Sequence, residues 1–110
     1  YRRLILIMGI LRDKDHGGII DRLVPLADWV VVTKPRYERA IDPPVLVVDI
    51  RRRHNRVSLA GTVEQAVALA REEASPDDLI VVTGSLYTVG DARAVLVKGP
   101  DAGFFRELKG

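Results

Sequence analysis

The residues best suited to chemistry form a cluster of four charged or titratable side chains directly ahead of a Gly-Gly pair: Asp13, Lys14, Asp15 and His16. If a helix begins at the glycines, its free N–H groups and the lysine can hold a phosphate or a carboxylate, and an aspartate can order the lysine or reach a ribose. A simpler interpretation is that Asp15 caps the helix while its neighbours are solvated. The sequence leaves both interpretations open.

A second group, Thr83, Gly84 and Ser85, ends another apolar run and precedes a predicted helix. Ser85 can either cap that helix or donate a hydrogen bond to a bound carboxylate. A serine-hydrolase nucleophile is excluded, because the G-x-S-x-G spacing fails and no histidine with a paired acid follows.

Several other functional classes lack the residues they require. The chain has no cysteine and only two histidines, His16 and His54, which excludes thiolate and multi-histidine metal sites. The G-x-G-x-x-G signature of dinucleotide sites is absent, and a predicted strand ends at Ala60 where a phosphoacceptor domain needs an aspartate. Residues 51–54 (RRRH) fall at a predicted helix end, where cations complement the helix dipole, and no aromatic residue interleaves with them. We therefore expect no nucleic-acid partner.

The hydrophobic pattern predicts the elements that position these groups. Short apolar runs predict buried strands over residues 3–9, 29–33, 57–60 and 79–83. Helical spacing predicts helices over residues 17–27, 62–74 and 85–96. Beyond residue 99 we expect no regular element.

Residues 45–50 are ambiguous. Their β-branched side chains favour a strand, whereas Asp42 and Pro43 ahead of them supply a helix cap and a first-turn proline. We predict a helix, because a strand would pair three short strands without crossovers.

Strands and helices that alternate in this way predict an α/β, Rossmann-like domain of three layers, with a mainly parallel sheet and helices on both faces. Ligands of such sheets bind at the carboxyl ends of the strands. The 110 residues are 47% apolar and 29% charged, which is typical of one globular domain, and the net charge of +2 is too weak to indicate a nucleic-acid partner. No apolar window could span a membrane and no signal pattern is present, so we expect a cytoplasmic protein without a membrane partner.

Three segments resemble a known family: LILIMGILRDKD, TKPRYERAIDP and, above all, DDLIVVTGSLYTVGDAR. They look like the C-terminal domain of bacterial folylpolyglutamate synthase, often bifunctional with dihydrofolate synthase, in the Mur ligase superfamily. The resemblance covers roughly residues 3–97. It implies an ATP-dependent ligase that activates a carboxylate as an acyl phosphate and joins it to the amine of glutamate, here on a folate.

The resemblance also implies what this chain lacks. In the family, the P-loop, the magnesium ligands and the folate pocket lie in a larger N-terminal ATPase domain, and none of these motifs occurs here. We therefore expect residues 1–110 to be a glutamate-ligase C-terminal domain without its ATPase partner, inactive alone, with ATP and magnesium used by the full-length enzyme. No catalytic residue and no metal ligand is assigned to it. By resemblance, Ser85 contacts a glutamate carboxylate, and the interdomain cleft is lined by Asp13, Lys14, Asp15, His16, Thr83 and Gly84.

One departure from the family concerns residues 45–48 (VLVV), where the family has a polar, alanine-rich helix. Four successive apolar side chains cannot all face one buried stripe, so we expect an exposed apolar patch and a homo-oligomer of the isolated domain. Two other functions stay open. The chain could be a free-standing module that binds a small anion without catalysis, or an interaction domain whose main behaviour is to form homo-oligomers.

Overall fold

A five-stranded parallel sheet forms the centre of the computed structural model, which describes residues 1–12, 15–84, 86–96 and 105–107. Its strands are β1 (Leu4–Met8), β2 (Trp29–Val32), β3 (Val57–Leu59), β4 (Leu79–Thr83) and β5 (Phe105–Glu107). Their spatial order is β3-β2-β1-β4-β5, so the two strands followed by the candidate site residues lie side by side at the centre of the sheet.

Helices cover both faces of the sheet. They are α1 (His16–Leu23), α2 (Pro43–Arg51), α3 (Val63–Glu73) and α4 (Leu86–Leu96). Alternate β1 side chains enter two separate cores: Leu6 and Met8 pack on the α1 and α2 side, whereas Ile5 and Ile7 pack on the α3 and α4 side. All five β1 residues are buried, which explains the unbroken apolar run. The predicted three-layer α/β fold is confirmed.

The helix starts depend on whether a backbone N–H is free to be capped. Asp15 caps α1, accepting a hydrogen bond from the Gly18 N–H at 3.1 Å, and Thr62 caps α3 in the same way. Asp42 occupies the cap position of α2 but makes no capping hydrogen bond, so that part of the prediction is wrong. The N–H that the cap would accept, that of Val45, donates instead to the Asp42 backbone carbonyl at 3.0 Å. The Asp42 carboxylate accepts from Lys34.

Two other predictions need correction. The first helix ends at Leu23 rather than at residue 27, and a 3₁₀ turn over Val24–Leu26 replaces its last turn, because Pro25 cannot donate to the helix. The region beyond residue 99 was expected to hold no element, yet β5 pairs with β4 there. Three residues are too few to show a hydrophobic period. Residues 45–50 are helical, as predicted.

Arg53 and His54, at the end of α2, make contacts with the segment that precedes β2. The Arg53 guanidinium lies 2.6 Å from an Asp21 carboxylate oxygen on α1. His54 donates from Nε2 to the Ala27 carbonyl at 2.7 Å, since its Nδ1 accepts from the Arg56 N–H. These contacts join α2 to the neighbouring segment. Within the described part of the chain, no helix has the length and apolar character needed to cross a membrane.

Candidate functional site

The candidate site lies at the edge of the sheet where the parallel strands end, called here the carboxyl edge. Gly9 follows β1 and Gly84 follows β4, and their backbones touch: a Cβ on Gly84 would overlap the carbonyl oxygen of Gly9. Gly84 has φ +121°, a backbone conformation that residues with a side chain adopt only with strain. Glycine is therefore required at the turn that leads to Ser85.

The loops after β1 and β2 pair with each other above this edge. Leu11 and Ala40 form an antiparallel bridge. The Arg12 N–H donates to the Arg39 carbonyl at 2.7 Å, and the Ile41 N–H donates to the Ile10 carbonyl at 2.8 Å. The two loops therefore form one structural unit.

Helix α4 is joined to both loops. The buried Thr88 hydroxyl donates to the Gly9 carbonyl at 2.6 Å. The Asp91 carboxylate accepts a hydrogen bond from the Arg36 backbone N–H at 2.9 Å. Sequence reasoning missed both residues. Their only sequence signal is that they are polar and three residues apart on the helix that follows the Gly84 turn.

Two open clefts flank the loop after β2. The larger, about 540 Å³, is lined by Arg36, Tyr37, Glu38 and Arg39. The smaller, about 380 Å³, has Arg12, His16 and Lys34 on its walls together with Glu38 and Asp42, over an apolar floor. Both clefts are therefore lined by basic and acidic side chains, which suits a ligand that carries both charges.

Lys34 and Asp42 form an ion pair in the smaller cleft. Their Nζ and Oδ1 atoms are 2.8 Å apart. The hydrogen bond and the charge of Lys34 hold the pKa of Asp42 below its ordinary value. The carboxylate is ionised at neutral pH, so the lysine is already paired before any ligand arrives.

The structure places only part of the predicted site. Asp15 is confirmed as a helix cap. His16 begins α1, with its Nε2 atom 3.6 Å from the Asp49 carboxylate on α2. Thr83 is buried, and its carbonyl accepts the Gly9 N–H at 3.2 Å. Asp13, Lys14 and Ser85 lie outside the described residues.

The described residues do not fit a magnesium or nucleotide site. Among them, no group of three or more acidic or histidine side chains is placed to hold a metal ion. The sequence has no phosphate-binding loop either. We therefore assign no reaction step on this chain to such a group.

Comparison with known proteins gives consistent matches. The sequence model of the family described as "Mur ligase, glutamate ligase domain" matches residues 1–86. A probable bifunctional folylpolyglutamate synthase/dihydropteroate synthase of Halobacterium salinarum is 42% identical over 94 residues, which are 84% of this chain and 11% of that protein. A dihydrofolate synthase/folylpolyglutamate synthase of Mycobacterium tuberculosis is 32% identical over 115 residues, 91% of this chain and 24% of that protein.

A solved structure has the same fold. Mycobacterium tuberculosis folylpolyglutamate synthase complexed with ADP and AMPPCP superposes with a TM-score of 0.80 at 35% identity, covering 91% of this chain and 25% of that one. The present chain thus spans between 11% and 25% of the length of these relatives.

Proposed function

Because the chain belongs to the family of Mur ligase glutamate ligase domains, we propose that it is the C-terminal domain of an ATP-dependent ligase that adds glutamate to a folate. The observation that carries the proposal is the family match over residues 1–86, which includes the loops after β1 and β2 and the turn after β4. These three segments meet at the carboxyl edge, where α/β sheets bind ligands.

The role proposed for this domain is to bind glutamate and to close over the reacting groups. The bond-forming step joins the amine of glutamate to an activated carboxyl group of the folate, and ATP with magnesium supplies that activation in the whole enzyme. Ser85 would donate a hydrogen bond to a glutamate carboxylate at the start of α4, where the helix end also favours negative charge. Asp13, Lys14 and His16 would face the interdomain cleft.

The pairing of the loops after β1 and β2 with each other supports this role. A small amino acid with two carboxylates binds more tightly to donors that are fixed before binding, since ordering loops on binding costs free energy. The bridge between Leu11 and Ala40, and the contacts of α4 with Gly9 and Arg36, hold the described parts of the loops after β1 and β2 to each other and to α4. The partner we propose is the ATPase domain of the same ligase, with the whole enzyme in the cytoplasm.

The test is an amide-formation assay with the intact ligase that carries this domain. We expect labelled glutamate to be joined to a dihydropteroate or folate acceptor only when ATP, magnesium and the acceptor are all present. Aspartate, one methylene shorter, serves as the control amino acid. Ligation that is as fast with aspartate, or that leaves glutamate untouched, would overturn the proposed function.

The alternative of a free-standing anion-binding module makes a different prediction. Such a module would bind glutamate with the chain alone as tightly as the intact ligase does. Calorimetric titration of both proteins with glutamate separates the two functions, because an interdomain site is completed only by the second domain.

A further inference from the structure

Two polar side chains of α4 hold the loops of the carboxyl edge in place. We propose that Thr88 and Asp91 are positioning residues for glutamate ligation: they hold the loops after β1 and β2 against the helix that follows the Gly84 turn, so that the glutamate-binding surface is formed in advance. The inference rests on the proposed function, since glutamate is the ligand it names.

Thr88 fixes the start of the loop after β1. Its side chain is fully buried, and its hydroxyl donates to the Gly9 carbonyl at 2.6 Å across 79 residues of sequence. The packing is tight, because a Cβ on Gly9 would come within 3.0 Å of the Thr88 hydroxyl oxygen. The first turn of α4 is therefore held directly against the end of β1.

Asp91 fixes the loop after β2. Its carboxylate accepts the Arg36 N–H at 2.9 Å, a hydrogen bond to a charged group and hence stronger than a neutral one. The donor is the backbone, not the guanidinium, which is largely exposed and lies 3.8 Å from Glu64. The contact thus depends on Asp91 and not on the side chain of Arg36.

The position of this pair is what links it to ligand binding. Thr88 and Asp91 lie three and six residues after Ser85, on the helix whose first turn would meet the glutamate carboxylate. The loop held by Asp91 lines the 540 Å³ cleft through Arg36 and its three successors. Without the hydrogen bonds of Thr88 and Asp91, the loops must be ordered when glutamate binds. This cost weakens the binding of glutamate and leaves the chemical step unchanged.

The first experiment measures hydrogen exchange of the Arg36 amide by NMR. We expect the amide to be protected in the wild-type chain and in Arg36→Ala, which keeps the N–H. Protection should survive in Asp91→Asn, whose side-chain oxygen still accepts, and be lost in Asp91→Ala. Glu72→Ala, the loss of an exposed carboxylate on α3, is the matched control and should change nothing at Arg36.

The second experiment is steady-state kinetics of the intact ligase. Asp91→Ala should raise the KM for glutamate about tenfold, while kcat and the KM for ATP change less than about twofold, because an interaction that prepares binding has been removed. Asp91→Asn should restore most of the wild-type KM. Thr88→Val should behave like Asp91→Ala, and Thr88→Ser like the wild type.

The inference is overturned if Asp91→Ala exposes the Arg36 amide to exchange but leaves the KM for glutamate unchanged. Equal losses in Asp91→Asn and Asp91→Ala would also overturn it, since the acceptor would then be irrelevant. A wild-type ligase that does not use glutamate would instead refute the proposed function, and the exchange data would then show a contact of structural importance alone.

Discussion

Asp78 shows how one buried carboxylate secures the start of the sheet. The Arg3 guanidinium donates to its Oδ2 atom from Nε at 3.1 Å and from Nη2 at 2.7 Å, and the Ser75 N–H donates to the same atom at 2.9 Å. The hydrogen bond from Arg3 is the main cause that holds the pKa of Asp78 far below its ordinary value, against the opposing effect of burial. The carboxylate thereby joins β1 to the turn before β4.

Asp78→Asn should therefore destabilise the domain by about 2–3 kcal/mol at pH 7, because hydrogen bonds to a charged group are lost. Because the pKa of Asp78 is lower in the folded state than in the unfolded state, its ionised carboxylate stabilises the fold at any pH above the ordinary carboxyl pKa. This stabilisation is lost progressively as the pH falls below about 4. Urea unfolding of both proteins at pH 7 and pH 3 should thus show a difference that shrinks in acid. Asp77→Asn is the exposed control, and a difference that does not vary with pH would contradict this account.

Gly84 and Gly90 provide a matched pair of glycines. Gly84 has φ +121° and no room for a Cβ, whereas Gly90 lies exposed in α4 with nothing within 4 Å of its Cβ position. Gly84→Ala should cost at least about 2 kcal/mol from strain and overlap, and Gly90→Ala should stabilise by about 0.5–1 kcal/mol through helix propensity. Thermal melts that shift in the same direction for both variants would contradict the geometry of the turn.

Ser85 is the residue at which binding and capping can be separated. If Ser85 binds glutamate as proposed, Ser85→Ala in the intact ligase should raise the KM for glutamate about tenfold to a hundredfold and leave the KM for ATP nearly constant, since one hydrogen bond to a carboxylate would be lost. A cap alone would cost about 1 kcal/mol of stability and no glutamate affinity. Kinetics with each substrate varied in turn, beside the melting temperature, decides between them.

At the scale of single residues, sequence predicts local contacts better than distant ones. The Asp15 cap could be predicted because its partner, Gly18, is three residues away. Thr88 and Asp91 could not, because their partners are backbone groups of Gly9 and Arg36, which only the fold brings near. The missing cap at α2 could not be predicted either, because the Asp42 carboxylate is paired with Lys34, eight residues away.

At the scale of elements, the length and burial of a strand decide whether the hydrophobic pattern of the sequence can predict it. The strands β1, β2 and β4 are four or five residues long and almost entirely buried, so each shows as an apolar run. The strand β5 has three residues and is defined by its pairing with β4, which no local pattern encodes. The prediction of helix α2 was confirmed although its residues favour a strand, because it rested on topology: a strand there would pair three short strands without crossovers.

Helix α2 leaves part of its apolar surface uncovered. Leu46 and Val47 are buried, whereas Val45 and Val48 are each 57% exposed and share one face, as expected for four successive apolar residues on a helix. We predict that the isolated chain self-associates at high micromolar concentration and that Val45→Lys with Val48→Lys abolishes this. Ala68→Lys, at an exposed position of α3, is the control. Sedimentation that gives a monomer mass at every concentration would count against the prediction.

At the scale of the whole molecule, we propose that this domain supplies a binding surface to a larger ligase. Its fold places three loops and the start of α4 at the carboxyl edge, and its described residues provide no donor set for a metal. Under the proposed function, activation of the folate carboxyl would come from the larger remainder of the ligase, a part that makes up at least three quarters of the chain in the relatives.

The most direct test of the central claim is incorporation of labelled glutamate into a folate by three samples: this chain, the ligase truncated before it, and the intact ligase. We predict incorporation by the intact ligase alone, because the chain has no phosphate-binding loop and the truncated protein would lack the proposed glutamate-binding surface. Binding of ADP shows whether the truncated protein is folded. Incorporation by the folded, truncated ligase at the rate of the intact enzyme would contradict the account.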